Sequence, residues 1–127
     1  MVRFTILAML PAVIAGAETL SGVLVDADCY AAMERNVNPR DTLTSVDRDR
    51  DFEIRYCRPG SKTTSFKLVD HDGQSVNLDA GGNSLAAEIV QKLQKGSIPR
   101  VSITGRKEKE KIKVESIVPD LTVPRHR

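Results

Sequence analysis

The chain has 127 residues, 40% of them apolar and 4% aromatic, with no Trp. That length suits one domain with an aliphatic core and is too short for two. Nineteen basic residues against 17 acidic ones leave a formal charge of +2, which argues against a dedicated nucleic-acid binder, and the composition excludes collagen-like, coiled-coil and multi-pass membrane classes.

The N-terminus reads as a targeting segment. Met1-Val2-Arg3 carries one positive charge, the run from Phe4 to Ile14 is apolar apart from Thr5 and Pro11, and Ala15-Gly16-Ala17 presents the small residues that a signal peptidase reads. The run is shorter than the roughly 20 residues that cross a bilayer, and Pro11 would break a buried helix. The expectation is a signal peptide over residues 1–17 and an exported chain, periplasmic or extracellular, with no stable membrane insertion after cleavage.

Both cysteines, Cys29 and Cys57, follow that segment. In an oxidising compartment two cysteines pair. A bridge between them closes a loop of 28 positions, for which the chain-entropy model gives about 3.6 kcal/mol of stabilisation. A metal site wants more Cys or His nearby, and a redox pair wants Cys-x-x-Cys spacing. A structural disulfide is therefore expected.

Leu20 to Val25 reads as a first strand, with Gly22 at a bulge or bend. Asp28 is placed to cap a short helix through Tyr30, Ala31, Met33 and Glu34. Arg40 to Glu53 is charged and shows no clear period, which predicts a surface insertion pinned by the two cysteines. Ser65 to Val69 alternates as a half-buried strand. Asp70-His71-Asp72-Gly73 has turn chemistry, and Gln74 to Asp79 returns as the second arm of a hairpin. Asn83 or Ser84 then caps a helix carrying Leu85, Ala86, Ile89, Val90 and Leu93 on one face, stopped by Gly96 and Pro99. Arg100 to Arg106 alternates again, with Val101 and Ile103 inward. Lys107 to Lys111 makes a charged turn, and Ile112, Val114 and Ile117 define a last strand.

Five strands with one helix between the third and fourth is the order of an OB-type barrel; an open α+β sheet accommodates the same elements. The fold class expected is all-β: a five-stranded OB-like barrel over residues 18–118, with one helix between strands 3 and 4, its Leu85/Ile89/Leu93 face plugging one end. A disulfide-bounded insertion follows strand 1, and residues 119–127 form a flexible C-terminal tail.

Several blocks carry a resemblance. Leu20-Ser-Gly-Val-Leu-Val-Asp-Ala-Asp-Cys29 resembles the opening of small exported bacterial proteins of acidobacterial type and unknown function. Cys57-Arg-Pro-Gly-Ser61, leading into Phe66-Lys-Leu-Val-Asp70, resembles their next block. Val101-Ser-Ile-Thr-Gly105 and Ile112-Lys-Val-Glu-Ser-Ile117 resemble their closing pair, and are also similar to exported bacterial OB-fold proteins linked to envelope stress. Many members carry a further cysteine near the second block, where this chain has Arg55-Tyr56. The resemblance implies an OB-like fold and no catalytic residues.

Asp47, Asp49, Asp51 and Glu53 stand at alternate positions, like the opening of a calcium loop. Phe52 occupies the place of the required Gly and Arg58 that of the bidentate Glu, and neighbouring arginines neutralise the cluster. These four are weak metal candidates beside the reading as a solvated charged loop, and no cofactor is expected. Asp70 and Asp72 are explained by the hairpin turn. His71, at its tip, has no wall to exclude water and no nucleophile beside it, so an enzyme is not expected. Residues 100–127 hold eight basic and four acidic residues, against five and eight over 26–57. A basic end of this kind attracts anions. With so few aromatics to stack bases, nucleic acid is not the expected partner. The functional expectation is an exported non-catalytic binding module for an anionic envelope component, using Lys67, Arg100, Arg106 and Lys113 as outward-facing basic residues. The alternative is a protein-interaction or scaffold element docking a partner through the insertion at 30–56.

Overall fold

Val23-Leu24-Val25 is an apolar run in which all three side chains are buried, and neighbours on a strand point to opposite faces. Both faces of this strand must therefore be covered, and that requirement organises the molecule. The computed structural model describes residues 16–35 and 43–124. The expected signal peptide lies outside the described residues except for Gly16 and Ala17.

The elements in order are β1 (Glu18–Asp26), α1 (Ala27–Glu34), α2 (Leu43–Tyr56), β2 (Phe66–Asp70), β3 (Ser75–Leu78), α3 (Ala80–Lys92), β4 (Arg100–Glu108) and β5 (Lys111–Pro119). The strands close into a ring in the order β1-β2-β3-β5-β4. β1 is long enough to pair with two neighbours, through Gly22–Asp26 to β2 and through Glu18–Val23 to β4, both antiparallel. β3 and β5 meet in parallel over Asn77–Leu78. At the β1–β2 crossing only a glycine fits, because a Cβ on Gly22 would overlap the Val69 carbonyl oxygen. Gly73, at φ 86°, makes the β2–β3 turn, where the Asp70 carboxylate accepts from the Asp72 and Gln74 amides at 2.9 Å each.

The interior of the ring holds Leu24, Phe66, Leu68, Val76, Leu78, Val101, Ile103 and Ile112, closed by Ala86 of α3. The alternation expected for β2, β3 and β4 is what buries these residues. On the outer face of β1 and β2 a second cluster joins Val23, Val25 and Val69 to Tyr30, Ile54 and Cys57 of the helical segment and to Val123.

Several expectations need correction. Among the described residues three helices accompany the sheet, so the all-β class with a single helix describes the strands and not the rest of the chain. The stretch read as a periodless surface insertion is largely the helix α2, and Ile54, fully buried, faces the outer side of the sheet. Its charged composition masks the few residues that pack. The cap of α1 is Asp26, not Asp28. β1 runs directly into the helix, and the Asp26 carboxylate accepts from the Cys29 amide at 3.0 Å. The cap of α3 is Asp79, not Asn83 or Ser84. Its carboxylate accepts from the Gly82 amide at 2.9 Å and the Val114 amide at 3.2 Å, fastening the helix to β5. Asn83 instead accepts from the Phe66 amide at 2.9 Å. The inward face of α3 is Ala86 with Ile89 and Val90, while Leu85 is exposed. Gly82 lies against Val114, where a Cβ would meet the valine side chain, and Ala86, four positions on, is fully buried. The tail, where described, lies against the ring: Val123 is buried, and the Arg100 guanidinium donates to its carbonyl at 3.1 Å.

The disulfide Cys29–Cys57 is formed, with Cα atoms 5.5 Å apart, and joins α1 to the residue after α2. Among the described residues, no helix is long and apolar enough to cross a membrane.

Candidate anion-binding groove

The end of α2 fixes two arginines. Arg55 lies in the last turn, and Arg58 follows the bridged Cys57. This stretch is held to the sheet from both sides. The Cys57 carbonyl accepts from the Asp26 amide at 2.8 Å, and the Ser65 carbonyl from the Ala27 amide at 2.9 Å. The free oxygen of the Asp26 cap accepts from the Thr63 hydroxyl at 2.8 Å, which in turn accepts from the Gly60 amide at 3.0 Å.

Facing this stretch is the connection from α3 to β4. It turns through Gln94–Ser97, with Gly96 at φ 87°, and is pinned where the Pro99 carbonyl accepts from the Leu24 amide at 3.0 Å. Arg100 comes next and opens β4. Its Nη1 donates to the carbonyls of Leu121 at 3.4 Å and Val123 at 3.1 Å. That anchor is held by Asp120, whose carboxylate accepts from Ser102 at 2.5 Å and from the Thr122 hydroxyl and amide at 2.6 and 2.9 Å. Those bonds, the Ser102 hydroxyl foremost, lower the Asp120 carboxyl to a pKa of about 2.

Between the two stretches lies a cavity of about 370 Å³ lined by Arg55, Arg58 and Arg100 with Gln94, Ser97 and Ile98. It continues through Arg58, Gln94, Gly96 and Ser97 into a second space of about 630 Å³, which adds Ser61, Val90, Gln91, Leu93 and Lys95. Among the described residues, neither space has a carboxylate in its wall. Among the described residues, the side chains of Arg55 and Arg58 have no ion-pair or hydrogen-bond partner. Guanidinium groups left in this way present planar N–H forks suited to carboxylate or phosphate oxygens.

The four basic residues singled out from the sequence do not come together. Lys67 lies under α1, its ammonium 3.2 Å from the Glu34 carboxylate and its side chain only 14% exposed. Arg106 and Lys113 are cross-strand partners on β4 and β5. They are exposed, and lie six residues from Arg100 along β4, or about 20 Å at strand rise. Arg100 belongs instead with Arg55 and Arg58. The only hint in the sequence is the pair of arginines three positions apart around Cys57. Asp47, Asp49, Asp51 and Glu53 lie on α2, where alternate positions stand about 200° apart around the axis; positions 47 and 51 fall on one side, 49 and 53 on another. Among the described residues no group of three or more metal-ligating side chains gathers. His71 is exposed at the hairpin tip. On α2 the rings of Phe52 and Tyr56 lie with centroids 5.9 Å apart, both exposed. No protein-family model matches the chain, and no match was found among curated proteins or solved structures.

Proposed function

We propose that the closed sheet is an OB-type barrel and that the protein is an exported, non-catalytic binding module for an anionic envelope component. Support for the fold reading comes from the strand order, the parallel β3–β5 pairing and the position of α3 between β3 and β4. Support for export comes from the disulfide and from the N-terminal apolar run. The observation that carries the binding reading is the cavity with three arginines and, among the described residues, no acid in its wall. A non-catalytic role agrees with the carboxylates of Asp26, Asp70, Asp79 and Asp120, each of which accepts hydrogen bonds that hold the backbone in place.

The test is the melting temperature of the oxidised protein with heparin at low and high salt. A polyanion at 100 times its dissociation constant adds about 2.7 kcal/mol. The expected shift is several degrees, fades with salt, and is absent from the Arg55→Glu/Arg58→Glu double variant. An unchanged shift in that variant would overturn the groove as the site.

The exposed Phe52–Tyr56 pair favours a second reading, in which the helical segment docks a protein partner. Phe52→Ser with Tyr56→Ser would then abolish partner capture and leave the melting temperature unchanged. Capture surviving the double change removes this reading.

A further inference from the structure

We infer that the groove takes a phosphomonoester carried on a polyhydroxylated, sugar-sized body, with the phosphate among the arginines and the body in the adjoining space; this rests on the binding reading above. The two halves of the groove differ in chemistry. The first half, a space of about 370 Å³, has Arg55, Arg58 and Arg100 in its wall and, among the described residues, no acid to compensate them. Arg100 has only Nη1 engaged among the described residues, and a guanidinium carries five N–H donors, so it too has donors to offer. A singly charged carboxylate would leave most of this positive charge unanswered. A phosphomonoester carries a charge of about −1.5 to −2 at neutral pH and three strong acceptor oxygens, which suits a wall that holds three arginines.

The second half is of a different kind. It is larger, about 630 Å³, and it mixes the amides of Gln91 and Gln94 and the hydroxyls of Ser61 and Ser97 with the apolar Val90 and Leu93. Amides and hydroxyls beside a small apolar wall suit a ring with hydroxyls at its edge and C–H groups on its face. A space of this size falls within the range of small-molecule sites. Because Arg58, Gln94, Gly96 and Ser97 line both halves, one ligand can span them with its ester oxygen at the shared wall. Bare phosphate would satisfy only the first half.

Gly60 provides the control. It lines only the second half, and a Cβ built there meets nothing within 4 Å. Gly60→Tyr therefore adds a bulky ring at the wall of the space for the body and leaves Arg55 and Arg100, which line only the first half, unaltered. The experiment is calorimetric titration of the oxidised full chain with inorganic phosphate, glucose phosphate and unphosphorylated glucose, on wild type, Gly60→Tyr and Arg55→Ala/Arg58→Ala. A parallel arm uses phosphatidylcholine vesicles with and without phosphatidylinositol phosphate. Glucose phosphate should bind at least tenfold more tightly than inorganic phosphate. Gly60→Tyr should abolish that advantage and leave phosphate binding unchanged, and the double arginine variant should lose both. Tight binding in solution identifies a free ester as the source of the chemistry; binding confined to the phosphorylated vesicles identifies a headgroup. Equal affinity for ester and phosphate, both lost in the arginine variant, overturns the sugar-phosphate inference and leaves the anion site standing. Affinities that the arginine variant does not change, or no binding in any arm, overturn both.

Discussion

Arg100 and Asp120 hold each other's segments in place. The Asp120 amide donates to the Arg100 carbonyl at 2.8 Å, while the Arg100 guanidinium donates to the carbonyls of Leu121 and Val123 beyond it. The chain after β5 is thereby laid over the outer face of the sheet, from Ser102 of β4 and Ser21 of β1 at Asp120 to the second apolar cluster on β1 and β2, which Val123 joins. A residue of the proposed anion site thus also fastens the C-terminal segment.

Acid should loosen this fastening. The Asp120 carboxyl, at about 2 against an ordinary value of 3.8, titrates below its unfolded counterpart. Its contribution is therefore complete above the unfolded value and is lost as pH falls through about 2. Melting temperature measured between pH 5 and pH 2, with Asp120→Asn alongside, should show a steeper acid decline in the wild type. Parallel declines would show that Asp120 does not set it.

The disulfide should matter for stability. Replacing Cys29 and Cys57 by alanine should cost about 2–4 kcal/mol, read as a lower guanidinium midpoint. Cys57 is itself buried in the second cluster, so the same pair of changes should also reduce helical ellipticity before the sheet melts.

Ile54 and Phe52 separate a packed helix from an appended loop. Ile54 is fully buried and Phe52 is 51% exposed. Ile54→Ala should cost about 2–5 kcal/mol, whereas Phe52→Ala should fall within about 0.5 kcal/mol of wild type. Equal, small losses in urea melts would mean that α2 does not contribute to the core.

Gly22→Ala tests the strand crossing. The new methyl would meet the Val69 carbonyl oxygen, and relieving that overlap requires β1 and β2 to part. A loss of about 1–3 kcal/mol is expected, measured by the same denaturant titration. Gly81→Ala, at an exposed position in α3 with open space around it, serves as the comparison and should stabilise slightly.

Local pattern determined much of this protein. The period of two in Phe66–Leu68, Val76–Leu78 and Val101–Ile103, the turn chemistry of Asp70–Gly73 and the helical spacing of Ala86, Ile89 and Val90 are each complete within a few residues, so strands, hairpin and α3 were legible from the sequence alone. The pairing of Cys29 with Cys57 was legible because two cysteines leave one choice. α2 was not, since only a few apolar residues punctuate a charged stretch, and the surface they pack on, Val23, Val25 and Val69, belongs to strands elsewhere in the chain. Closure of the five strands was expected from the order of the elements, but its register was not legible locally: β1 and β4 pair across some 80 positions, Gly22 with Val101 and Val23 with Arg100. The arginine groove follows from that closure. Arg55 and Arg58 are placed by the disulfide and the Asp26–Cys57 hydrogen bond, and Arg100 by its strand. Their convergence is a property of three contacts distant in sequence, and only the tertiary structure decides it.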